Sequence, residues 1–122
     1  MAKQRANLPA PTIPPCMLFC DGIIVEQGTG KTTLIGTFSG VAAEQFPSPA
    51  KDLHVYAQLS SLVGDMSIKL TCLRLDTAEA EEAYSTEHVI RFHSKLIVEQ
   101  VHFMWNQFQF PSPGEYLFQL WA

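Results

Sequence analysis

Residues 66–72, MSIKLTC, decide the fold class of this chain. Met, Ile, Leu and Cys stand at every second position of the stretch, and Ser, Lys and Thr fill the positions between them. Strict alternation of this kind is the period of a half-buried antiparallel strand. An upstream stretch repeats the pattern, with apolar side chains at Leu53, Val55, Ala57 and Leu59. Together the two stretches predict an all-β fold.

On both sides of these two stretches, runs rich in β-branched and aromatic residues alternate with Gly, Pro and polar turn residues. They predict about seven strands, packed as an antiparallel β-sandwich, near residues 16–25, 31–39, 52–61, 65–76, 82–92, 97–109 and 115–122.

Residues 87–110 are ambiguous, because they contain no Gly or Pro and part of their apolar spacing also fits one helical face. β-Branched and aromatic side chains at the other positions favour two strands that turn near residues 93–95. The apolar parity changes around Asn106 and Gln107, which predicts a β-bulge in the second strand.

The length of 122 residues allows one domain, which we place at residues 16–122. Residues 1–15 hold four of the eight prolines and are expected to form an extended tail. The net charge of −4 disfavours nucleic-acid binding, which requires neutralisation of phosphates. We found neither an apolar membrane-spanning stretch nor a secretory signal, so we expect a cytoplasmic protein that does not bind membranes.

Cysteine and histidine usage predicts neither a metal site nor another cofactor. Cys16, Cys20 and Cys72 are an odd number without a C-x-x-C pair, and the four histidines lack the paired spacing of metal motifs. We expect three buried free thiols.

A short motif around Lys31 invites comparison with a phosphate-binding loop. Residues 28–33, GTGKTT, contain its Gly-Lys-Thr core, but Val25 stands where the first glycine of G-x-x-x-x-G-K-[ST] is required. The β-branched run that follows is also a poor helix former. We therefore predict a hairpin loop whose glycines adopt positive φ. The alternative is a nucleotide-binding protein that uses Gly28, Gly30, Lys31 and Thr32.

Other catalytic signals are weak, and we expect a protein that is not an enzyme. The chain has no G-x-S-x-G nucleophile motif. Asp21 lies inside an apolar run just before Gly22. We predict that it is partly buried and fixes a local turn or bulge by accepting backbone N–H bonds.

Three motifs occur in order along the chain: Phe19-Cys20-Asp21, then Gly30-Lys31 followed by residues 34–38 (LIGTF), then residues 110–118 (FPSPGEYLF). In these the chain resembles a group of small bacterial proteins of unknown function, over about residues 17–122. The resemblance implies an immunoglobulin-like β-sandwich, a hairpin at the Gly-Lys pair, structural roles for Gly36, Pro113 and Gly114, and no known activity.

The resemblance also implies a role for Tyr116. In immunoglobulin-like sandwiches, a Tyr just after such a turn bonds back to the backbone and fixes the start of a late strand. Residues 116–121 alternate apolar side chains on both faces, and similar proteins continue into one more strand. Either the chain is truncated, or another chain completes the sheet edge. We therefore expect a structural or protein-binding module whose sheet edge takes a protein partner or forms a homodimer.

Overall fold

The computed structural model describes residues 14, 16–75 and 81–122. These residues form seven strands and no helix: β1 (Cys16–Val25), β2 (Thr32–Phe38), β3 (Lys51–Leu59), β4 (Gly64–Arg74), β5 (Glu81–Phe92), β6 (Glu99–Phe108) and β7 (Tyr116–Trp121). The predicted all-β class is confirmed, and each predicted strand end lies within two residues of the observed one. Residues 87–110 form two strands rather than a helix. Except for Pro14, the predicted tail of residues 1–15 lies outside the described residues.

The strands form two antiparallel sheets, as a β-sandwich requires. One sheet has the order β2-β1-β3-β6, and the other has the order β5-β4-β7. The register of β3 against β6 shifts between Lys51 and Leu53. Opposite this shift, Gln107 has a φ of 56° and its N–H donates to Asp52 Oδ1 at 3.1 Å. The bulge predicted from the change in apolar parity is therefore confirmed.

The core lies between the two sheets and contains the alternating apolar residues of the central strands. Leu53, Val55, Ala57 and Leu59 on β3 are at most 5% exposed. The other buried core residues are Ile68, Leu70, Cys72, Phe92, Val101, Phe103, Phe108 and Leu120. Burial on this scale is the main stabilising contribution to the fold.

The two sides of the sandwich are closed differently. On one side β5 contacts β6, and the rings of Tyr84 and Phe108 lie 4.4 Å apart between their centroids. On the other side the Phe19 ring of β1 lies 4.7 Å from the Phe118 ring of β7. Because β1 packs beneath β7, the end of β2 at Phe38 lies beyond the edge of the three-stranded sheet.

Within the described part of the chain, no helix has the length and apolar character needed to cross a membrane.

Candidate functional site

The Gly-Lys loop is an exposed β-hairpin turn. Glu26 N–H donates to the Lys31 carbonyl at 2.7 Å, and Gly30 N–H donates to the Glu26 carbonyl at 3.0 Å. Gly28 and Gly30 have φ values of 92° and 71°, as the hairpin prediction requires. The Thr32 hydroxyl donates to Gln100 Oε1, and β2 follows where a phosphate-binding loop would begin a helix. The strand at this position contradicts the helix that the nucleotide-binding alternative requires after the loop.

Asp21 departs from its predicted role. Its side chain is 45% exposed, and Oδ1 lies 2.5 Å from Nζ of Lys51 in an ion pair. The pairing of β1 with β2 stays in register across this position, so no bulge occurs there. The predicted burial and backbone bonding of Asp21 are wrong, because its strand parity places it where the second sheet does not cover the first.

Gly36 lies opposite Asp21 and is required by the local geometry. Its φ is +63°, and a Cβ built at this position would come within 2.6 Å of Asp21 Oδ2. A side chain would therefore combine a left-handed backbone with a steric conflict. The structural role predicted for Gly36 has a direct physical reason.

Tyr116 bonds back to the backbone of the turn before β7, as the resemblance implied. Its hydroxyl donates to the Ser112 carbonyl at 2.6 Å and accepts the Ser112 N–H at 3.3 Å. Gly114, in the turn after Pro113, has a φ of 142°. The two bonds tie the start of β7 to the preceding turn and orient the strand.

Among the described residues, β7 pairs with one strand only, which is β4. Leu75 N–H donates to the Glu115 carbonyl, and Leu73 lies opposite Leu117 in the pairing with β4. Because backbone groups alternate in direction along a strand, residues 117, 119 and 121 also face β4. The N–H and C=O groups of Phe118 and Leu120 consequently point away from β4, toward the open side where no further strand of the described residues lies.

An aromatic cavity of about 440 Å³ lies beside this edge. Its walls include Phe118 of β7, Phe19 of β1 and Phe38 of β2. The Phe19 and Phe38 rings are stacked, with their centroids 6.2 Å apart. Residues of the β2–β3 connection, among them Val41, and of the turn before β7 also line the cavity, as do Leu53 and Leu75. We call the outward edge of β7 together with this cavity the edge site.

Ser48 fixes the connection that covers one end of the edge site. Its side chain is only 4% exposed. The Phe110 N–H donates to Ser48 Oγ at 2.8 Å, and the Ser48 N–H donates to the Phe110 carbonyl at 2.9 Å. Gln109 Nε2 adds a bond to the Ser48 carbonyl at 3.1 Å. These bonds hold residues 39–50 against the end of β6, so the cavity has a defined wall on that side.

Burial shifts the pKa values of three titratable side chains in the sheets. Burial raises the pKa of the Cys72 thiol to about 12 and raises the pKa of Cys20 as well. Burial and the neighbouring His54 lower the pKa of His102, which lies on the opposite face of β6 from the core. Both buried thiols are therefore protonated and poorly nucleophilic at neutral pH. Among the described residues no three His, Cys, Asp or Glu side chains lie together as metal ligands would.

All three cysteines are free, as predicted, although Cys16 is only half-buried. Sequence reasoning identified the unprotected strand at residues 116–121 and the role of Tyr116, but it missed the cavity beside them. Its lining residues come from separate parts of the chain, and Ser48 lies in a segment without any strand periodicity. The one available signal was the aromatic content of β1, β2 and β7.

A model of a family of unknown function, DUF6941, matches residues 15–121. No curated protein and no solved structure matches the chain. The matched range includes all seven strands and therefore the whole edge site.

Proposed function

This chain belongs to DUF6941, a family of unknown function, and we propose that it is a non-catalytic protein-binding module. The outward edge of β7 accepts one extended segment of another protein as an additional strand. The observation that carries this proposal is that no strand of the described residues pairs with the outward backbone groups of Phe118 and Leu120, which lie next to an open aromatic cavity. Strand addition supplies main-chain hydrogen bonds, and side-chain cavities supply selectivity.

β7 differs from the other edge strands in lacking protection against pairing. Its sequence, YLFQLW, has no charge, no Pro and no Gly. β5 carries Glu87 and Arg91, β6 ends in the bulge at Gln107, and β2 is distorted at Gly36. Charges, bulges and distortions of this kind are the usual means of preventing strand addition. The unprotected edge is therefore the one beside the cavity.

The space beside β7 accommodates a single added strand but not the β-sandwich of a second copy of this chain. β1 lies beneath β7, so the Phe38 end of β2 occupies the lower layer under the position of an added strand. A second copy pairing through its own β7 would bring its β1 into that same space. An extended segment without a lower layer of its own avoids the collision.

We also propose that the sandwich is immunoglobulin-like. In that fold one sheet has the order C′-C-F-G, and a Tyr near the start of strand F bonds back to the backbone. The order β5-β4-β7 corresponds to C′-C-F, and Tyr116 lies at the start of β7. Strand G of that fold would occupy the position we assign to the captured segment. We further propose that the protein is located in the cytoplasm.

Amide hydrogen exchange tests the edge site directly. The probe is the nine-residue peptide Lys-Thr-Val-Thr-Phe-Thr-Val-Thr-Lys, whose alternate side chains are apolar. In the free protein, we expect the Phe118 and Leu120 amides to exchange at least about tenfold faster than the Gln119 amide, which faces β4. Millimolar peptide should slow Phe118 and Leu120 by about tenfold or more and leave Gln119 unchanged.

A matched pair of variants on β2 controls for nonspecific binding of the peptide to exposed apolar side chains. Phe38→Ser removes a ring from the cavity wall and should abolish the peptide effect. Ile35→Ser removes an apolar side chain that is 47% exposed on the opposite face and should preserve it. Strong protection of Phe118 and Leu120 in the free protein, or no response to the peptide, would overturn the proposal.

A further inference from the structure

We infer that the segment captured at the edge site carries a large aromatic side chain opposite Phe118. This inference deepens the proposed function and depends on it. It adds a sequence preference that the open strand edge alone does not supply.

The direction of that side chain follows from strand pairing. Residues directly opposite each other in neighbouring strands place their side chains on the same face of the sheet. Phe118 points toward the four-stranded sheet, because its ring contacts that of Phe19 at 4.7 Å. The residue paired with Phe118 therefore also points between the sheets, over the end of β2 at Phe38.

The walls around that position favour an aromatic ring. Phe19, Phe38 and Phe118 each present ring surface, and the cavity of about 440 Å³ has room for an added aromatic side chain. Glu115 lines this cavity, and the Asp21–Lys51 ion pair lines a neighbouring cavity that shares Phe38 with it. A charged side chain at the central position would lose its hydration among the three rings.

The neighbouring positions of the captured segment have different requirements. Residues opposite Leu117 and Gln119 would point to the outer face, where Leu117 is 41% exposed, so polar side chains are tolerated there. Residues opposite Tyr116 and Leu120 would point inward again. The expected segment thus alternates inward apolar and outward polar residues, with its aromatic residue at the centre of the inward set.

Three peptides that differ only at the central position test this preference. They are the probe with its central Phe, and the same peptide with Ala or Lys there, each titrated against the wild-type chain. We expect the Ala peptide to bind about tenfold more weakly, and the Lys peptide more weakly still. The exchange of Phe118 and Leu120 reports whether each peptide occupies the edge.

A size-exchange experiment then locates the central side chain. Phe38→Ala enlarges the cavity, so it should weaken the Phe peptide and relatively favour a Trp peptide. Ile35→Ala, on the opposite face of the same strand, should leave the order of the peptides unchanged. Equal affinity of the Phe, Ala and Lys peptides, with Phe118 and Leu120 protected by all of them, would overturn the inference but not the proposed function. Failure of every peptide to protect these amides would overturn both.

Discussion

Both sides of this sandwich contain aromatic rings, but the rings pack together on one side and line a cavity on the other. On the closed side, the rings of Tyr84, Trp105 and Phe108 pack together between β5 and β6, and the Tyr84 hydroxyl donates to the Gln109 carbonyl at 2.9 Å. On the open side, Phe19 and Phe38 line a cavity. Aromatic content alone therefore does not produce a closely packed core. A ring contributes fully only where the facing sheet covers it, and β7 is the last strand of the smaller sheet.

The largest effect should come from removing a ring on the closed side. Phe108 is 4% exposed, and its ring contacts those of Tyr84, Trp105 and Phe110. We expect Phe108→Ala to lower the free energy of unfolding by about 3–5 kcal/mol, measured by urea denaturation.

Phe38→Ala is the matched change on the open side. Its ring is half-buried and already borders open space. The loss should be about 1 kcal/mol, since less apolar surface returns to water. Equal losses for the two variants would show that the two sides are packed alike and would contradict the comparison.

Gly36→Ala should have the second-largest effect on stability, after Phe108→Ala. The positive φ and the 2.6 Å approach to Asp21 Oδ2 together predict a loss of about 1–2 kcal/mol. Because part of the cost is the contact with Asp21, the double variant with Asp21→Ala should recover some stability. Gly40→Ala is the control, since a Cβ at that position would meet no atom within 4 Å and its φ is not positive, so it should change little.

Tyr116→Phe tests how firmly the edge strand is anchored. Loss of the two hydrogen bonds to Ser112 should cost about 1 kcal/mol. Amide exchange along β7 should accelerate more than exchange in β5. Tyr56→Phe removes only a hydroxyl that accepts from Gln58 Nε2, so it should cost less. An unchanged exchange rate in β7 would contradict the anchoring role.

The smallest effect on stability is expected for a substitution at Lys31, which belongs to neither side of the sandwich. Lys31 lies in the exposed hairpin turn, so Lys31→Ala should change the free energy of unfolding by less than about 0.5 kcal/mol. Millimolar Mg-ATP or Mg-GTP should not shift the melting temperature of either form. A nucleotide at a hundred times its Kd would add about 2.7 kcal/mol, so a shift that only the wild type shows would restore the phosphate-loop interpretation.

Much of the fold could be predicted because strand periodicity is local. The alternation in β3 and β4 gave both their faces and their burial, and the parity change near Gln107 gave the bulge. The hairpin glycines were also predictable, because positive φ is a property of the residue itself.

The errors have a common physical cause. The environment of Asp21 depends on how far the second sheet extends, which no property of residues 16–25 encodes. The cavity was missed for the same reason, because Phe38, Ser48 and Phe118 are separated along the chain and meet only in the folded protein.

The all-β class, the seven strands of the described residues and the unprotected apolar strand at residues 116–121 were predictable from the sequence alone. These follow from side-chain period, turn chemistry and the absence of charge, all of which are read within a few residues. The edge position of this strand, the direction of its backbone groups and the aromatic cavity beside it became evident only in the folded structure. Those features depend on sheet order, because in the described part of the chain four strands face three and leave one side of the sandwich open.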